Sequence, residues 1–271
     1  SRSAYPIMSF DLKKLDKDAP SKRLEIISKS KGFTLDTVGE SDRIYTSGGF
    51  LCLFPYLVVY DYGIWKDNKA IARPGYLVVS RDSLKPEDGS SFAKENTVSS
   101  THVVYAASVR GGGQSPSALI WTLDSLVRMY LANANQSIFA FDFIAGNISI
   151  ISNKSVVEDE GLFYWAGNDR FFVYNGSVQG LENNHCLNYF FENLDYDFKG
   201  KIWGTKVGSK DEIWWHFPNK NLPGYHNECN AYVIYNTKFK TWYSGYFPVT
   251  TFDSESFDIS KPVETSQGRI C

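Results

Sequence analysis

The sequence has few cysteines, no long apolar run and no excess of charge of either sign. Its four cysteines lie far apart in 271 residues without Cys-x-x-Cys spacing, which argues against a zinc ribbon or a dense disulfide framework. The longest apolar run, residues 50–60, contains Pro55 and is shorter than the ~18 residues that a membrane helix needs. With 28 basic and 30 acidic residues, the chain has no basic excess to attract nucleic acid. We therefore expect no membrane span and no general affinity for nucleic acid.

Sequence motifs of catalysis are missing as well. There is no Gly-x-Ser-x-Gly elbow and no His-Glu-x-x-His motif, and the four histidines are scattered. Residues 109–117 contain three consecutive glycines, but no Lys-Ser/Thr follows them, so the segment predicts a flexible turn and not a phosphate-binding loop. We expect a protein that is not an enzyme and that has no cofactor.

Aromatic residues are abundant: 7 Trp, 17 Tyr and 19 Phe make up 16% of the chain. Large flat side chains fill a pleated surface well, which favours an all-β fold with one or two short helices. Apolar runs separated by turns predict antiparallel strands over 43–50, 57–65 and 75–80, with turns at Gly48-Gly49 and 66–68. Residues 117–131 predict two strands joined by a turn at Asp124-Ser125, and the apolar stripe in 185–197 predicts a helix.

The domain organisation follows from changes in composition along the chain. Residues 1–32 predict a peripheral arm with a short amphipathic helix. Residues 33–250 predict one β-propeller-like domain, in which the polar, turn-rich segment 81–100 is a surface loop or an internal boundary. Residues 251–271 are expected to be a C-terminal extension, and the abrupt end at Cys271 suggests a piece of a longer protein.

The segment GLFYWAGNDRFFVYNG, residues 161–176, predicts a β-hairpin that is apolar on both faces. With Asn168-Asp169 in the two-residue loop, Gly167 pairs with Arg170 and Trp165 with Phe172. One face then carries Phe163, Trp165, Phe172 and Tyr174, and the other carries Leu162, Tyr164, Ala166, Phe171 and Val173. A sheet with one wet face would alternate apolar and polar residues, so this hairpin is expected to lie between two packed layers. Each blade of a β-propeller is packed between two neighbouring blades in this way, whereas a β-sandwich buries only one face of each sheet.

The aromatic pattern recurs later in the chain. Residues 211–218 and 230–245 predict a second aromatic set of strands, in which Tyr235-Asn236 echoes Tyr174-Asn175. Residues 60–65 give a fainter copy, and the uneven spacing excludes strict WD or leucine-rich repeats. The residues expected to form the structural core of these hairpins are Phe163, Trp165, Phe172, Tyr174, Trp214, Tyr235 and Trp242.

The order VEDEGLFYW, DRFFVYNG, EIWW, YVIYN and Trp242, within residues 100–245, resembles a family of tailed-phage virion proteins. These are the tail nozzle, tail hub and packaged-DNA stabilisation proteins of short-tailed phages. The resemblance implies a β-propeller-rich structural protein in the virion, at the phage tail. It implies a homo-oligomeric ring that forms and seals the DNA exit channel, touching other tail proteins on its adaptor or portal side and its fibre side. Viral DNA would pass through during DNA ejection without sequence-specific binding.

Two His/Cys neighbourhoods raise the alternative of a metal site: His185-Cys186, and His226 with Cys229. A structural zinc takes four ligands, and each pair supplies two, so the clusters would have to meet in space. We instead interpret them as polar loop residues, with Cys186 a small core residue on the helix.

An acidic turn raises the alternative of glycoside hydrolysis. Glu158, Asp159 and Glu160 precede an aromatic strand, and Asp195 and Asp197 follow later. Hydrolysis needs two carboxylates roughly 5 to 10 Å apart across one sugar. Adjacent acids in a turn are more often a solvated loop, which is the interpretation we favour. Exposed aromatic side chains could still bind a glycan by stacking, so a carbohydrate-binding propeller, lectin-like or receptor-binding, is the alternative function.

Overall fold

The structure is a computed structural model, and it describes residues 33–34, 43–53, 56–66, 69–79, 95–109, 116–132, 139–182, 185–222 and 228–248. Within them the chain forms antiparallel sheets with few helices, as the sequence predicts for an all-β protein. Several predicted segments lie outside the described residues, namely 1–32, 81–94, 110–115, His226 and 251–271. No helix in the described part of the chain is long and apolar enough to span a membrane.

The chain divides into two compact units, Ser1–Gly146 and Asn147–Cys271. In the first unit, sheet 1 has five strands and sheet 2 has four, each in sequence order. Sheet 1 consists of β1 (Phe33–Thr34), β2 (Arg43–Leu53), β3 (Tyr56–Lys66), β4 (Lys69–Val79) and β5 (Asn96–Thr97). Sheet 2 consists of β6 (Val103–Ser108), β7 (Ser117–Thr122), β8 (Ser125–Leu131) and β9 (Phe139–Gly146).

The second unit contains two four-stranded meanders and a helix. Sheet 3 consists of β10 (Val157–Asp159), β11 (Leu162–Ala166), β12 (Phe171–Tyr174) and β13 (Val178–Gly180). Sheet 4 consists of β14 (Trp203–Val207), β15 (Glu212–Phe217), β16 (Ala231–Asn236) and β17 (Thr241–Tyr246). Helix α1 (His185–Asn193) connects the two sheets, with short 3₁₀ helices at Asn153–Ser155, Tyr196–Lys201 and Gly208–Lys210.

The predicted turn at Gly48-Gly49 is wrong, because both glycines lie inside strand β2. A Cβ atom at Gly49 would collide with the ring of Tyr60, and one at Gly48 would meet the side chain of Asp61. The glycines therefore allow a close approach between paired strands. Asp61 itself has a φ of 50° and lies where the register of β3 shifts. Lys66 pairs with Lys69, and residues 67–68 of the predicted turn at 66–68 lie outside the described residues.

The remaining predictions of local structure are close to the structure. Residues 117–131 form the two predicted strands, but the turn begins one residue earlier, and Ser125 already belongs to β8. The hydroxyl of Thr122 accepts a hydrogen bond from the Ser125 N–H at 3.0 Å, which closes this tight turn. The predicted helix forms but ends at Asn193, because Leu194 makes a β-bridge with Asn219.

Each unit has its own apolar core. In the first unit, one face of sheet 1 packs on sheet 2 through Leu53, Val58, Tyr60, Leu77, Val79, Val103, Ala106, Ala118, Ile120, Val127, Met129 and Phe139. The opposite face of sheet 1 buries Leu57, Val59, Tyr62, Ile64 and Val78. Sheet 1 is therefore apolar on both faces, like the hairpin identified from the sequence.

A reciprocal pair of amides closes the end of the β15–β16 connection. The Asn219 N–H donates to the Asn230 side-chain oxygen at 2.7 Å, and the Asn230 side-chain amide donates to the Asn219 carbonyl at 3.0 Å. Both residues are buried, and Asn219 Oδ1 also accepts the Asn221 N–H at 2.9 Å. Buried polar groups are therefore satisfied at the point where the strand ladder ends.

Candidate functional site

The aromatic hairpin of sheet 3 has the predicted register. Trp165 pairs with Phe172 and Phe163 with Tyr174, and the Gly167 N–H donates to the Arg170 carbonyl at 2.8 Å. Asn168-Asp169 therefore lie in the loop between β11 and β12. Alternate residues along each strand must then face opposite sides of the sheet.

Both faces of this hairpin are buried, as its apolar pattern predicts. On one face, Phe163, Trp165 and Phe172 have exposed fractions of 1%, 0% and 6%. On the other face, Tyr164 and Phe171 are buried, and burial raises the pKa of the Tyr164 phenol to about 12. The ring of Trp165 stacks on that of Phe172, with centroids 5.3 Å apart. Side chains on both faces of this hairpin are therefore shielded from solvent, as they would not be in a surface ribbon.

Phe171 is the centre of the aromatic core between sheet 3 and sheet 4. Its ring centroid lies 4.7 Å from that of Trp215, 5.0 Å from Phe190 and 5.0 Å from Trp242. These neighbours come from β15, α1 and β17, so a single side chain joins three elements of the second unit. The other buried members of the cluster are Ile151, Val157, Tyr164, Ala166, Leu194, Ile202, Ile213, Phe217, Ala231, Val233 and Tyr235.

The Tyr-Asn pairs seen in the sequence occupy equivalent positions in sheets 3 and 4. Each lies at the end of the third strand: Tyr174 ends β12, and Tyr235-Asn236 end β16. Asn175 accepts the N–H of Ser177 at 3.4 Å, and Asn236 accepts the N–H of Lys238 at 3.1 Å. In both sheets an asparagine side chain thus opens the turn to the fourth strand, as Asx-turns do.

Counting from these Tyr residues brings two tryptophans into register. Tyr174 pairs with Phe163 and Tyr235 pairs with Ile213, so Trp165 and Trp215 lie two residues further along equivalent second strands. Both indoles are completely buried. Both donate to a backbone carbonyl, Trp165 to Ser149 at 3.0 Å and Trp215 to Ser155 at 2.8 Å. Sheets 3 and 4 are therefore structural repeats with the same anchoring hydrogen bond.

Sheet 4 presents a row of aromatic side chains on its face opposite the core, which we name the outer aromatic band (Trp203, Trp214, His216 and Tyr232). Trp203 and His216 stack at 4.1 Å with an interplanar angle of 11°, and Trp214 lies 4.8 Å from Tyr232. His216 is buried, which lowers the pKa of its imidazole to about 4. By the register of the repeat, Trp214, His216 and Tyr232 of sheet 4 are equivalent to Tyr164, Ala166 and Phe171 of sheet 3. In sheet 3, these residues lie on the face that packs against sheet 4.

The residues singled out from the sequence divide into two groups by exposure. Phe163, Trp165, Phe172 and Tyr235 are buried, whereas Tyr174, Trp214 and Trp242 are only half-buried. Of the two adjacent tryptophans on β15, Trp215 faces the core and Trp214 faces away from it. Sequence reasoning did not single out Trp215, although its equivalence with Trp165 follows once both are counted from the Tyr-Asn pairs.

The acidic residues serve local structural roles. Asp159 forms an ion pair with Lys206 of β14, and the hydrogen bond that the Lys206 ammonium donates to the Asp159 carboxylate raises the pKa of this ammonium. Glu160 has a φ of 51°, so it forms the tight turn into β11 together with Gly161. Asp195 accepts the Asp197 N–H at 3.0 Å and caps a 3₁₀ helix. These contacts tie sheet 3 to sheet 4 and shape turns.

Of the two His/Cys pairs, the structure describes the side chains of Cys186 and Cys229, whereas the His185 side chain and His226 lie outside the described residues. Cys186 is half-buried on α1, and burial raises the pKa of its thiol. Cys229 is buried, its thiol donates to the Lys201 carbonyl at 3.3 Å, and burial raises its pKa to about 12. In the described part of the chain, no group of three His, Cys, Asp or Glu side chains is arranged to hold a metal ion.

No family model matches the chain, and no curated protein matches its sequence. One similar solved structure is that of a Bacteroides fragilis protein described as exported, with 8% identity, a TM-score of 0.31, and coverage of 79% of this chain and 78% of that one.

Proposed function

We propose that this chain is a structural subunit of a phage virion, in the tail nozzle or tail hub ring that forms and seals the DNA exit channel. The observation that carries the proposal is the ordered pair of aromatic sheets, with Trp165 and Trp215 as equivalent anchors. Their sequence order resembles that of the tail nozzle, hub and packaged-DNA stabilisation proteins. A rigid, doubly buried aromatic scaffold suits a mechanical role, because its contacts depend little on solvent-exposed loops.

The fold that goes with this function is a β-propeller-like arrangement of blades. Sheets 2, 3 and 4 are four-stranded meanders, and each has a buried tryptophan on its second strand, Trp121, Trp165 and Trp215. In sheet 3, the face equivalent to the outer aromatic band receives the next sheet. Propeller blades repeat this relation around a ring, because each blade needs a neighbour on both faces.

The proposed partners are further copies of this chain in a homo-oligomeric ring, and other tail proteins on the adaptor or portal side and on the fibre side. Passing viral DNA would touch the ring without sequence-specific binding. The formal net charge of −2 supports this role, since a strongly basic channel would hold the phosphates. The proposed location is the virion, at the phage tail, and the proposed role requires neither a cofactor nor catalysis.

The geometry of the outer aromatic band favours this proposal over a carbohydrate-binding propeller. Glycan stacking requires a ring face that is open to solvent. Trp203 presents a face to His216 at 4.1 Å, and Trp214 and Tyr232 approach each other at 4.8 Å. Each of these rings therefore already contacts a neighbouring ring of the band, as in a packing surface.

Imaging of purified particles tests the proposal directly. We expect density for this chain on the tail axis below the portal, in several symmetry-related copies, and its peptides in the mass spectrum of the particles. A glycan array with the purified chain is the matched test of the alternative. A chain that is absent from particles, or that lies as a single copy at a fibre tip and binds glycans, would overturn the proposed function.

A further inference from the structure

The turn between β12 and β13 contains an asparagine followed directly by a glycine, Asn175-Gly176, and this is the one Asn-Gly pair in the sequence. Asparagine is among the thermolabile residues of proteins. Its side-chain carbonyl carbon can be attacked by the main-chain nitrogen of the next residue. A glycine at that place hinders the attack least, because it has no side chain. The sequence thus marks this turn as a candidate site of covalent change.

Both residues of the pair are exposed, and their reacting atoms are lightly held. The φ of Gly176 is 105°, and a Cβ atom at this position would have no other atom within 4 Å. Asn175 Oδ1 accepts the Ser177 N–H at 3.4 Å and the Ser177 hydroxyl at 3.3 Å, both of which are long hydrogen bonds. A hydrogen bond to Oδ1 draws electrons from the side-chain carbonyl carbon, which makes this carbon a better target for attack.

The equivalent turn of sheet 4 holds its asparagine much more firmly. Asn236 is buried, its Nδ2 amide donates to the Lys210 carbonyl at 3.1 Å, and its Oδ1 accepts the Phe239 N–H at 2.8 Å. The nitrogen that would attack it belongs to the β-branched Thr237, and this N–H donates to the Asp211 carbonyl at 2.7 Å. Attack at Asn236 therefore requires that these hydrogen bonds open first. The repeat supplies one loosely held and one protected copy of the same turn.

We propose that Asn175 is the site at which this chain converts spontaneously into aspartate and isoaspartate, with water as the co-reactant. The Gly176 nitrogen forms a bond to Asn175 Cγ, the Cγ–Nδ2 bond breaks, and the departing amine takes up the Gly176 amide proton and leaves as ammonia. Water then opens the cyclic succinimide at either of its carbonyl carbons. Breaking the new bond to Cγ gives aspartate, and breaking the main-chain peptide bond gives isoaspartate, in which the chain runs through Cβ and Cγ.

The conversion changes both the charge and the length of the turn. Either product adds a negative charge at an exposed position, and isoaspartate also adds a carbon atom to the main chain between β12 and β13. Strand β13 is short, Val178–Gly180, and it is the last strand of sheet 3. Its pairing with β12 should therefore loosen, whereas β11 stays paired on both sides. The inference rests on the turn alone and does not depend on the phage assignment.

The experiment ages the folded full chain in a mildly alkaline buffer that is made with heavy-oxygen water. Hydrolysis of the succinimide places heavy oxygen in the new product, which separates conversion during the incubation from conversion during earlier handling. Peptide mass spectrometry locates the label, and an isoaspartyl methyltransferase measures isoaspartate.

Two variants serve as matched controls. Asn175→Gln removes the site, because the longer glutamine side chain closes a ring less readily. Thr237→Gly places a glycine after Asn236, so that the two turns then differ in their structure and no longer in this neighbour. This variant is aged folded and, in a second sample, unfolded in guanidinium chloride. Circular dichroism confirms which samples are folded.

We expect the label to appear first at Asn175, in both aspartate and isoaspartate, and to be absent from the same peptide of Asn175→Gln. In folded Thr237→Gly, Asn236 should convert at least about tenfold more slowly than Asn175, because its turn must open before the ring can form. Unfolding in guanidinium chloride should bring the two rates together. Amide hydrogen exchange of residues 178–180 should be faster in the aged chain than in the fresh one.

The proposal is wrong if the wild type gains label at Asn236, or at the exposed Asn168, before Asn175. It is equally wrong if the Asn175 peptide gains no label, or gains aspartate without isoaspartate, as direct hydrolysis of the side chain would give. A folded Thr237→Gly chain in which both sites convert at the same rate would contradict the protection that the structure assigns to Asn236. The wild-type comparison stands even if Thr237→Gly does not fold.

Discussion

Replacing Trp215 with alanine should be among the most destabilising substitutions in the second unit. The indole is completely buried between Phe171 and Trp242, and Gly204 leaves room for it on the neighbouring strand. Its Nε1 donates to the Ser155 carbonyl at 2.8 Å. The substitution thus removes both the largest ring of this core and the hydrogen bond that links β15 to the segment before β10.

The expected loss can be divided between these two effects. Truncating a buried tryptophan to alanine costs about 3 to 5 kcal/mol, through lost burial and the cavity that remains. A buried carbonyl without its donor costs roughly 1 to 3 kcal/mol, although water entering the cavity offsets part of this. We therefore expect the free energy of unfolding to fall by about 4 to 5 kcal/mol. Trp215→Phe, which retains an aromatic ring but no donor, should cost about 2 kcal/mol.

The neighbouring tryptophan provides a matched control. Trp214 is half-buried on the opposite face, so Trp214→Ala should cost only about 1 to 2 kcal/mol. Urea unfolding of the full chain, followed by far-UV circular dichroism, gives the midpoints and slopes for all variants. The repeat also predicts that Trp165→Ala falls in the same range as Trp215→Ala.

The reasoning fails if Trp215→Ala costs less than about 2 kcal/mol with an unchanged slope, because that value is ordinary for a partly exposed site. It fails equally if Trp214→Ala costs as much as Trp215→Ala. Either result would mean that the two faces of sheet 4 do not differ in packing as the structure shows.

Three further predictions concern single side chains. Asn236→Ala removes the hydrogen bonds that the Asn236 side-chain oxygen accepts from the Lys238 and Phe239 N–H groups, and the one that its amide donates to the Lys210 carbonyl. It should cost about 1 to 2 kcal/mol in urea unfolding, against less than about 1 kcal/mol for the exposed Asn175→Ala. His216 has a pKa of about 4 when folded, below its unfolded value of ~6.5. The folded state therefore favours the neutral imidazole, and the stability that goes with it is fully present above pH ~6.5. Up to about 3 kcal/mol of the free energy of unfolding is lost as the pH falls towards 4. His216→Gln should show a correspondingly smaller loss, and equal losses would contradict burial of a neutral imidazole. In the folded chain at pH ~8, iodoacetamide should modify exposed Cys52 but not Cys229, whose thiol pKa is about 12, as mass spectrometry of the peptides can show.

Local pairing within sheet 3 could be predicted because a short loop fixes it. Asn168-Asp169 tolerate the turn conformation, and with the loop in place the partners of Trp165 and Phe163 follow by counting. The same logic failed at Gly48-Gly49, where a glycine pair serves close packing against Tyr60 and not a turn. A glycine pattern alone does not distinguish these two uses, since both depend on the missing Cβ.

The orientation of adjacent aromatic residues was harder to predict. Trp214 and Trp215 are adjacent, so the residues around them in the sequence do not show which of the two faces the core. The register with Tyr235 decides this. The end of α1 at Asn193 likewise depends on a bridge between Leu194 and Asn219, residues that are distant in sequence. Such features arise from tertiary pairing, which periodicity in one segment does not contain.

The Asn219–Asn230 amide pair has a consequence for how this protein can change over evolutionary time. It completes the hydrogen bonding of sheet 4 before the chain enters the connection that contains residues 223–227. Because the closing bonds come from the two asparagines themselves, these bonds do not require a particular length or sequence of that connection. Insertions there can accumulate while both asparagines are kept, and a peptide tag placed there would label the protein without disturbing sheet 4.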